Sequence, residues 1–209
     1  MVFRKVIDLS LTLKNTMPEI SPMHRKTAIE MTSTLEDDGI QRTMISLSCH
    51  AGTHMDAPQH IISGRTIDLI GVSECIGAAQ KITLDKKDRD KIDDKDIPDT
   101  RDGEFMIINT GWYRRWPSKK YYSDYPFLTP DALDKIINLG FRGIGMDIPS
   151  LDRAGDNTFT NHKKTFRAGL IVVESLTNLD AIGDRFTFAA FPLKIEKAEA
   201  SPCRAIGVL

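Results

Sequence analysis

His50, Gly52, Thr53, His54, Asp56, Pro58 and His60 fall within one short stretch, His-Ala-Gly-Thr-His-Met-Asp-Ala-Pro-Gln-His. The chain has only 5 histidines in 209 residues, and three of them stand here. Imidazole and carboxylate are ligand types that suit Zn, Mn or Fe, and a spare imidazole beside them supplies acid–base chemistry. A lone histidine is ordinarily a surface residue or a satisfied core residue. Four ligand-type groups that coincide with a Gly and a Pro are instead the pattern of a ligand-bearing loop. Three protein ligands with an open position would make such a site catalytic rather than structural.

Positioning these side chains constrains the backbone. Ile45, Leu47 and Cys49 alternate with Met44, Ser46 and Ser48, so the chain enters the cluster as a strand. Full extension would leave the Cα atoms of His50 and His54 about 13 Å apart, with roughly parallel side chains. Two ligands at about 2.1 Å from one ion must converge. The spacing therefore predicts a curl at Ala51-Gly52-Thr53, where Gly52 permits backbone angles that other residues resist. A helical His-x-x-x-His of the metalloprotease kind is disfavoured by Gly52, by Pro58 and by the lack of a Glu after His50. Cys49 beside His50 suggests a nucleophilic pair, but neighbours on a strand point to opposite faces, and Cys49 reads as core. Ser46 and Ser48 lack any Gly-x-Ser-x-Gly context.

Around the cluster, β-branched and aromatic residues predict short strands at Lys5–Leu9, Thr27–Thr32, Thr43–Cys49, Ala78–Leu84, Phe105–Asn109, Gly143–Asp147, Leu170–Val173 and Thr187–Ile195. The clearest helix has Thr129 as N-cap, Pro130 at its first position and Gly140 at its end, and would bury Leu133, Ile136 and Ile137. A second helix is expected from near Asp68 to around Gly77. Many strands with few helices indicate an α+β domain or a β-rich mixed sheet, and 209 residues fit one domain, 1–209.

Composition excludes several functions. The chain is 41% hydrophobic and 27% charged, with a net charge of −1 and both signs interspersed, so nothing favours nucleic acid or an anionic membrane. No apolar run approaches the roughly 18 residues that cross a bilayer, and the N-terminus meets charge too early for a signal peptide. Cys49, Cys75 and Cys203 are widely spaced and fit reduced thiols in a cytoplasm. Asp88 and Asp90 hint at calcium, but Asp93 stands where an EF-hand needs Gly and Asp99 where it needs Glu. Arg114, Arg115, Lys119 and Lys120 interleave with Trp112, Tyr113, Trp116, Tyr121 and Tyr122, which reads as a loop over a small-molecule pocket.

The stretch His50 to His60 resembles, at every fixed position, the His-x-Gly-Thr-His-x-Asp-x-Pro-x-His signature of the cyclase-like metal-dependent hydrolases, which include kynurenine formamidases (arylformamidases) and isatin hydrolases. The likeness runs nearly end to end. It includes Ile7–Ser10, Thr110–Trp112, the Gly145–Asp152 segment, Phe191-Pro-Leu-Lys-Ile and Ser201-Pro-Cys-Arg-Ala. The resemblance implies an α/β fold, a β-rich swivelling β/β/α domain, assembled as a homodimer or homotetramer. It implies two metal ions, Zn or Mn. His50, His54 and Asp56 would hold one; Asp56, His162 and Glu174 would hold the other. His60 would be the catalytic acid–base, and the reaction would be hydrolysis of a small-molecule formamide or related amide. Trp112 is the expected stacking surface for an aromatic substrate. An isatin-type cyclic-amide hydrolase and a metal-binding protein without catalysis remain open alternatives; His60 argues against the second, since binding alone needs no spare imidazole.

Overall fold

Phe105–Asn109 is buried along its whole length, as a central strand must be when both faces are covered. Its alternate residues serve two cores. Phe105 and Ile107 point into one with Met55, Val173 and Phe188; Met106 and Ile108 point into the other with Leu133, Ile136 and Phe166. The computed structural model describes residues 5–18, 26–84 and 90–209.

The strands are β1 (Val6–Asp8), β2 (Ala28–Ser33), β3 (Arg42–Ser46), β4 (His54–Asp56), β5 (Ile76–Thr83), β6 (Lys91–Ile92), β7 (Phe105–Asn109), β8 (Phe127–Leu128), β9 (Gly143–Met146), β10 (Ile171–Glu174), β11 (Arg185–Pro192) and β12 (Ala200–Val208). The main sheet runs β1-β12-β11-β5-β7-β9-β10-β4, and β12 also pairs with β4. That extra pairing closes seven strands into a barrel-like ring, with β1 appended to the far part of β12. Closure removes open edges, and it places the three-residue β4 between β10 and β12. The helices are α1 (Leu35–Asp38), α2 (Pro130–Asn138) and α3 (Thr160–Arg167). Thr129 caps α2 by accepting from the Ala132 N–H, and Ala132, Leu133 and Ile136 are fully buried beneath it. Each such Leu or Ile contributes about 1.5–3 kcal/mol through burial. The β-rich α/β architecture expected from the sequence is present.

Several local expectations need correction. The expected helix from Asp68 to Gly77 is two 3₁₀ turns, Ile67–Leu69 and Val72–Cys75, and β5 begins at Ile76. Gly71 interrupts the run, and the Glu74 side chain turns back onto its N–H at 2.9 Å. The expected strand Thr43–Cys49 stops at Ser46, because the curl into the histidine loop starts earlier. β12 was not anticipated; its Pro202 has no N–H to donate, and such residues rarely sit within sheets. β2 and β3 form a separate hairpin that leaves Met31, Met44 and Ile45 exposed. Asp88 lies outside the described residues.

Candidate metal centre

Strand register assembles the site. In the β4–β10 pair His54 stands opposite Glu174 and Asp56 opposite Val172. Side chains two apart on a strand share a face, so His54 and Asp56 point one way while Met55 enters the core. The curl occurs as expected: Gly52 has φ +64, and its carbonyl accepts from His54 Nδ1 at 2.9 Å. His50 lies in the turn, and Pro58–His60 is a 3₁₀ turn that carries His60 back to within 4.2 Å of the His50 ring.

His162 arrives from α3, where local sequence alone reads as loop. Asp152 sits at the N-terminus of this helix and accepts from the Asn161 N–H at 2.7 Å, the His162 N–H at 3.2 Å and His162 Nδ1 at 2.6 Å. One carboxylate thus caps the helix and orients the imidazole. Ser150 Oγ in turn accepts from the Asp152 N–H at 3.2 Å.

The resulting cage has an electrostatic problem. A carbonyl and a carboxylate only accept, so His54 and His162 each donate through Nδ1, and in the neutral ring the lone pair is left on Nε2. His54 Nε2 faces Asp56 Oδ1 at 3.4 Å and Glu174 Oε2 at 3.5 Å. His162 Nε2 faces Asp56 Oδ2 at 3.5 Å and Glu174 Oε1 at 3.3 Å. Both Nε2 atoms and both Asp56 oxygens are buried without a well-formed hydrogen bond, though His50 Nδ1 stands 3.0 Å from Asp56 Oδ1. Acceptors converge on acceptors, at a cost only a proton or a cation relieves. The donor set therefore fits a divalent metal. Two tight groups share Asp56: His50, Asp56 and His60, and His54, Asp56 and Glu174. This grouping puts His54 closer to Glu174 than the expected division implies.

The titration behaviour follows from the same contacts. Burial opposes the charged His50 ring, but the Asp56 carboxylate 3.0 Å away outweighs it and holds the group up at about 10. Burial likewise opposes charged His162, yet Asp152, Asp56 and Glu174 hold it well above its ordinary value. His60 differs: burial, assisted by the neighbouring imidazoles, pushes it down to about 4, so its ring is neutral near pH 7.

These groups line a cavity of about 310 Å³ with Tyr122, Tyr125, Arg153 and Phe159 among its walls. That volume accepts a small organic molecule. His50, His54, Asp56, His60, His162 and Glu174 all meet there. Trp112 does not line it. Its indole N–H donates to the Tyr121 carbonyl at 2.8 Å, and Arg115 covers the ring at 4.1 Å. Asp152, Phe159 and Glu199 were not singled out from the sequence. Glu199 Oε1 lies 3.5 Å from His50 Nε2, and this contact holds the Glu199 carboxyl at about 2. Of the three, only Asp152 carried a signal, as the last position of the Gly145–Asp152 segment.

A closed β-rich sheet bearing this cage defines a metal-dependent hydrolase. Residues 7–153 match the family model described as putative cyclase, and the chain belongs to that family. It is 28% identical to the kynurenine formamidase of Bacillus cytotoxicus, across 96% of this chain and 95% of that protein. Among solved structures, isatin hydrolase A from Labrenzia aggregata shares the fold with a TM-score of 0.86 at 24% identity, covering 98% of this chain and 93% of that one. A potential metal-dependent hydrolase with cyclase activity gives a TM-score of 0.81 at 26% identity, covering 98% and 97%.

Proposed function

We propose that the chain hydrolyses the C–N bond of a small aryl formamide or related amide, as a kynurenine formamidase-like enzyme. The observation that carries this reading is the cage of buried acceptor atoms on His54, Asp56 and His162, with the His60 ring beside it, 4.2 Å from the His50 ring and 5.9 Å from the His162 ring. We assign His50, His54, Asp56, His162 and Glu174 as the residues that would hold Zn or Mn; the place of Asp56 in both tight groups supports its central part. A bound divalent ion polarises the scissile carbonyl and brings the pKa of water toward neutrality. His60 accepts the proton of the attacking water and then delivers it to the departing nitrogen, so that one water yields the acid and the amine. Asp152 and the Gly52 carbonyl hold the two inner imidazoles in the tautomer that leaves Nε2 free.

The test combines metal analysis of the purified protein with turnover of N-formylkynurenine, isatin and formanilide. Wild type should carry metal and release amine from the formamides, and His60→Ala should keep its metal while kcat falls about 10²–10⁴-fold. Undiminished turnover in His60→Ala would refute the assignment of the base. Turnover of isatin alone would move the activity to cyclic amides.

A further inference from the structure

Phe159 occupies a position where a phenylalanine is costly twice over. It stands at the N-cap of α3 with φ 51 and ψ 43, a left-handed conformation that bulky L-residues avoid. It also has no side-chain oxygen for the exposed N–H groups of the helix, where Ser, Thr, Asp or Asn is preferred. The helix start does not depend on it. Asp152 reaches across and takes the Asn161 and His162 N–H groups. The bond that residue 159 gives the helix is through its carbonyl, which accepts from the Lys163 N–H at 2.9 Å, and any residue has a carbonyl.

The strained backbone aims the ring at the centre. The Phe159 centroid lies 6.5 Å from His60 and 6.4 Å from His162, with interplanar angles of 66° and 79°. His60 and His162 are themselves 5.9 Å apart, so the three rings form a nearly equilateral triangle at the cavity wall. Phe159 is only half-buried, and its remaining surface lines the cavity that Tyr122 and Tyr125 also line. Local strain that the surroundings over-determine is concentrated at functional sites.

We propose that Phe159 is a specificity-determining residue that presents an aromatic face to a planar group bonded to the reacting carbon or nitrogen. It takes the place expected for Trp112, whose ring is committed elsewhere. The inference rests on the amide-hydrolase reading only for the identity of the reacting bond; the ring slot itself follows from the cavity.

Calorimetry on the Zn-loaded protein with benzoate and cyclohexanecarboxylate tests it, because these anions match in charge and size and differ in planarity. Wild type should prefer benzoate about fivefold, the scale of an aromatic pair. Phe159→Leu should abolish the preference, and Phe159→Tyr should retain it. Phe159→Asn accepts the left-handed backbone and can cap the helix, so it should stay folded and also lose the preference. Equal binding of the two anions by wild type, or a preference that survives in Phe159→Leu or Phe159→Asn, would overturn the proposal. A benzoate preference that depends on Phe159 in a protein inert toward formanilide would support the slot while sinking the amide chemistry.

Discussion

Asp152→Asn separates the helix-capping role of Asp152 from its hold on His162. The amide oxygen can still accept from the Asn161 N–H, now 2.7 Å from Oδ1. The NH₂ group replaces Oδ2 and faces two donors, the His162 N–H at 3.2 Å and Nδ1 at 2.6 Å. Two bonds to an ionised carboxylate are lost, at about 1.5–3 kcal/mol each. The imidazole recovers part of this by accepting from the new amide through Nδ1, which leaves its remaining proton on Nε2, where Glu174 Oε1 stands 3.3 Å away. Those two new bonds return about 2–4 kcal/mol, so the net destabilisation is about 1–2 kcal/mol. The same proton now occupies the lone pair that would bind metal. Outer partners of metal-bound histidines typically govern affinity by about 10–100-fold, or 1.4–2.8 kcal/mol. Competition against a chromogenic chelator reads the metal affinity, and urea unfolding of the metal-free protein reads the stability. An affinity within twofold of wild type, in a variant that unfolds at a lower urea midpoint, would refute the tautomer argument and leave Asp152 as a helix cap alone.

Two further substitutions test the surrounding frame. Burial raises the Asp147 carboxyl from 3.8 to about 6, against the Thr110 N–H and hydroxyl that both reach Oδ1. A raised carboxyl binds its proton more tightly when folded, so its contribution is full below about 4 and is lost as pH rises through 6. The difference is about 3 kcal/mol at pH 7. Asp147→Asn should therefore gain stability relative to wild type between pH 4 and 7 in paired urea titrations, and a difference constant with pH would contradict the assignment. Gly52→Ala forces an L-residue to φ +64 and sets a Cβ 2.8 Å from Leu13 Cδ2. The expected cost is about 1–3 kcal/mol, with kcat reduced because the Gly52 carbonyl orients His54. An unchanged melting temperature would show that the turn relaxes freely.

Spacing carried much of this protein in the primary sequence. His50, His54, Asp56 and His60 lie so close along the chain that only a curl could make them converge, and Gly52 was the one residue suited to make it. The capped helix Pro130–Asn138 and the unbroken apolar run of β7 were legible for the same reason, since their patterns are local. Where local pattern was weak, the reading failed. The stretch before Gly77 has helical composition, yet Gly71 and the β-branched start of β5 turn it into 3₁₀ turns and strand. α3 is polar and begins at a residue that cannot cap it, and its start depends on Asp152 in the preceding loop.

What the tertiary structure decided is which groups face one another. His54 meets Glu174 because closure of the sheet sets β4 antiparallel to β10 in one register, a pairing across 120 residues of chain that no local propensity encodes. A one-residue slip would turn either side chain to the opposite face. His162 turns Nε2 toward Asp56 and Glu174 because Asp152 accepts from its Nδ1. Trp112 leaves the pocket because its indole N–H finds the Tyr121 carbonyl, and the wall passes to Phe159. The chain itself settled which chemistry is available, because ligand types are a property of side chains. The fold settled the geometry of that chemistry, because convergence depends on strand register and on the hydrogen bonds of the surrounding residues.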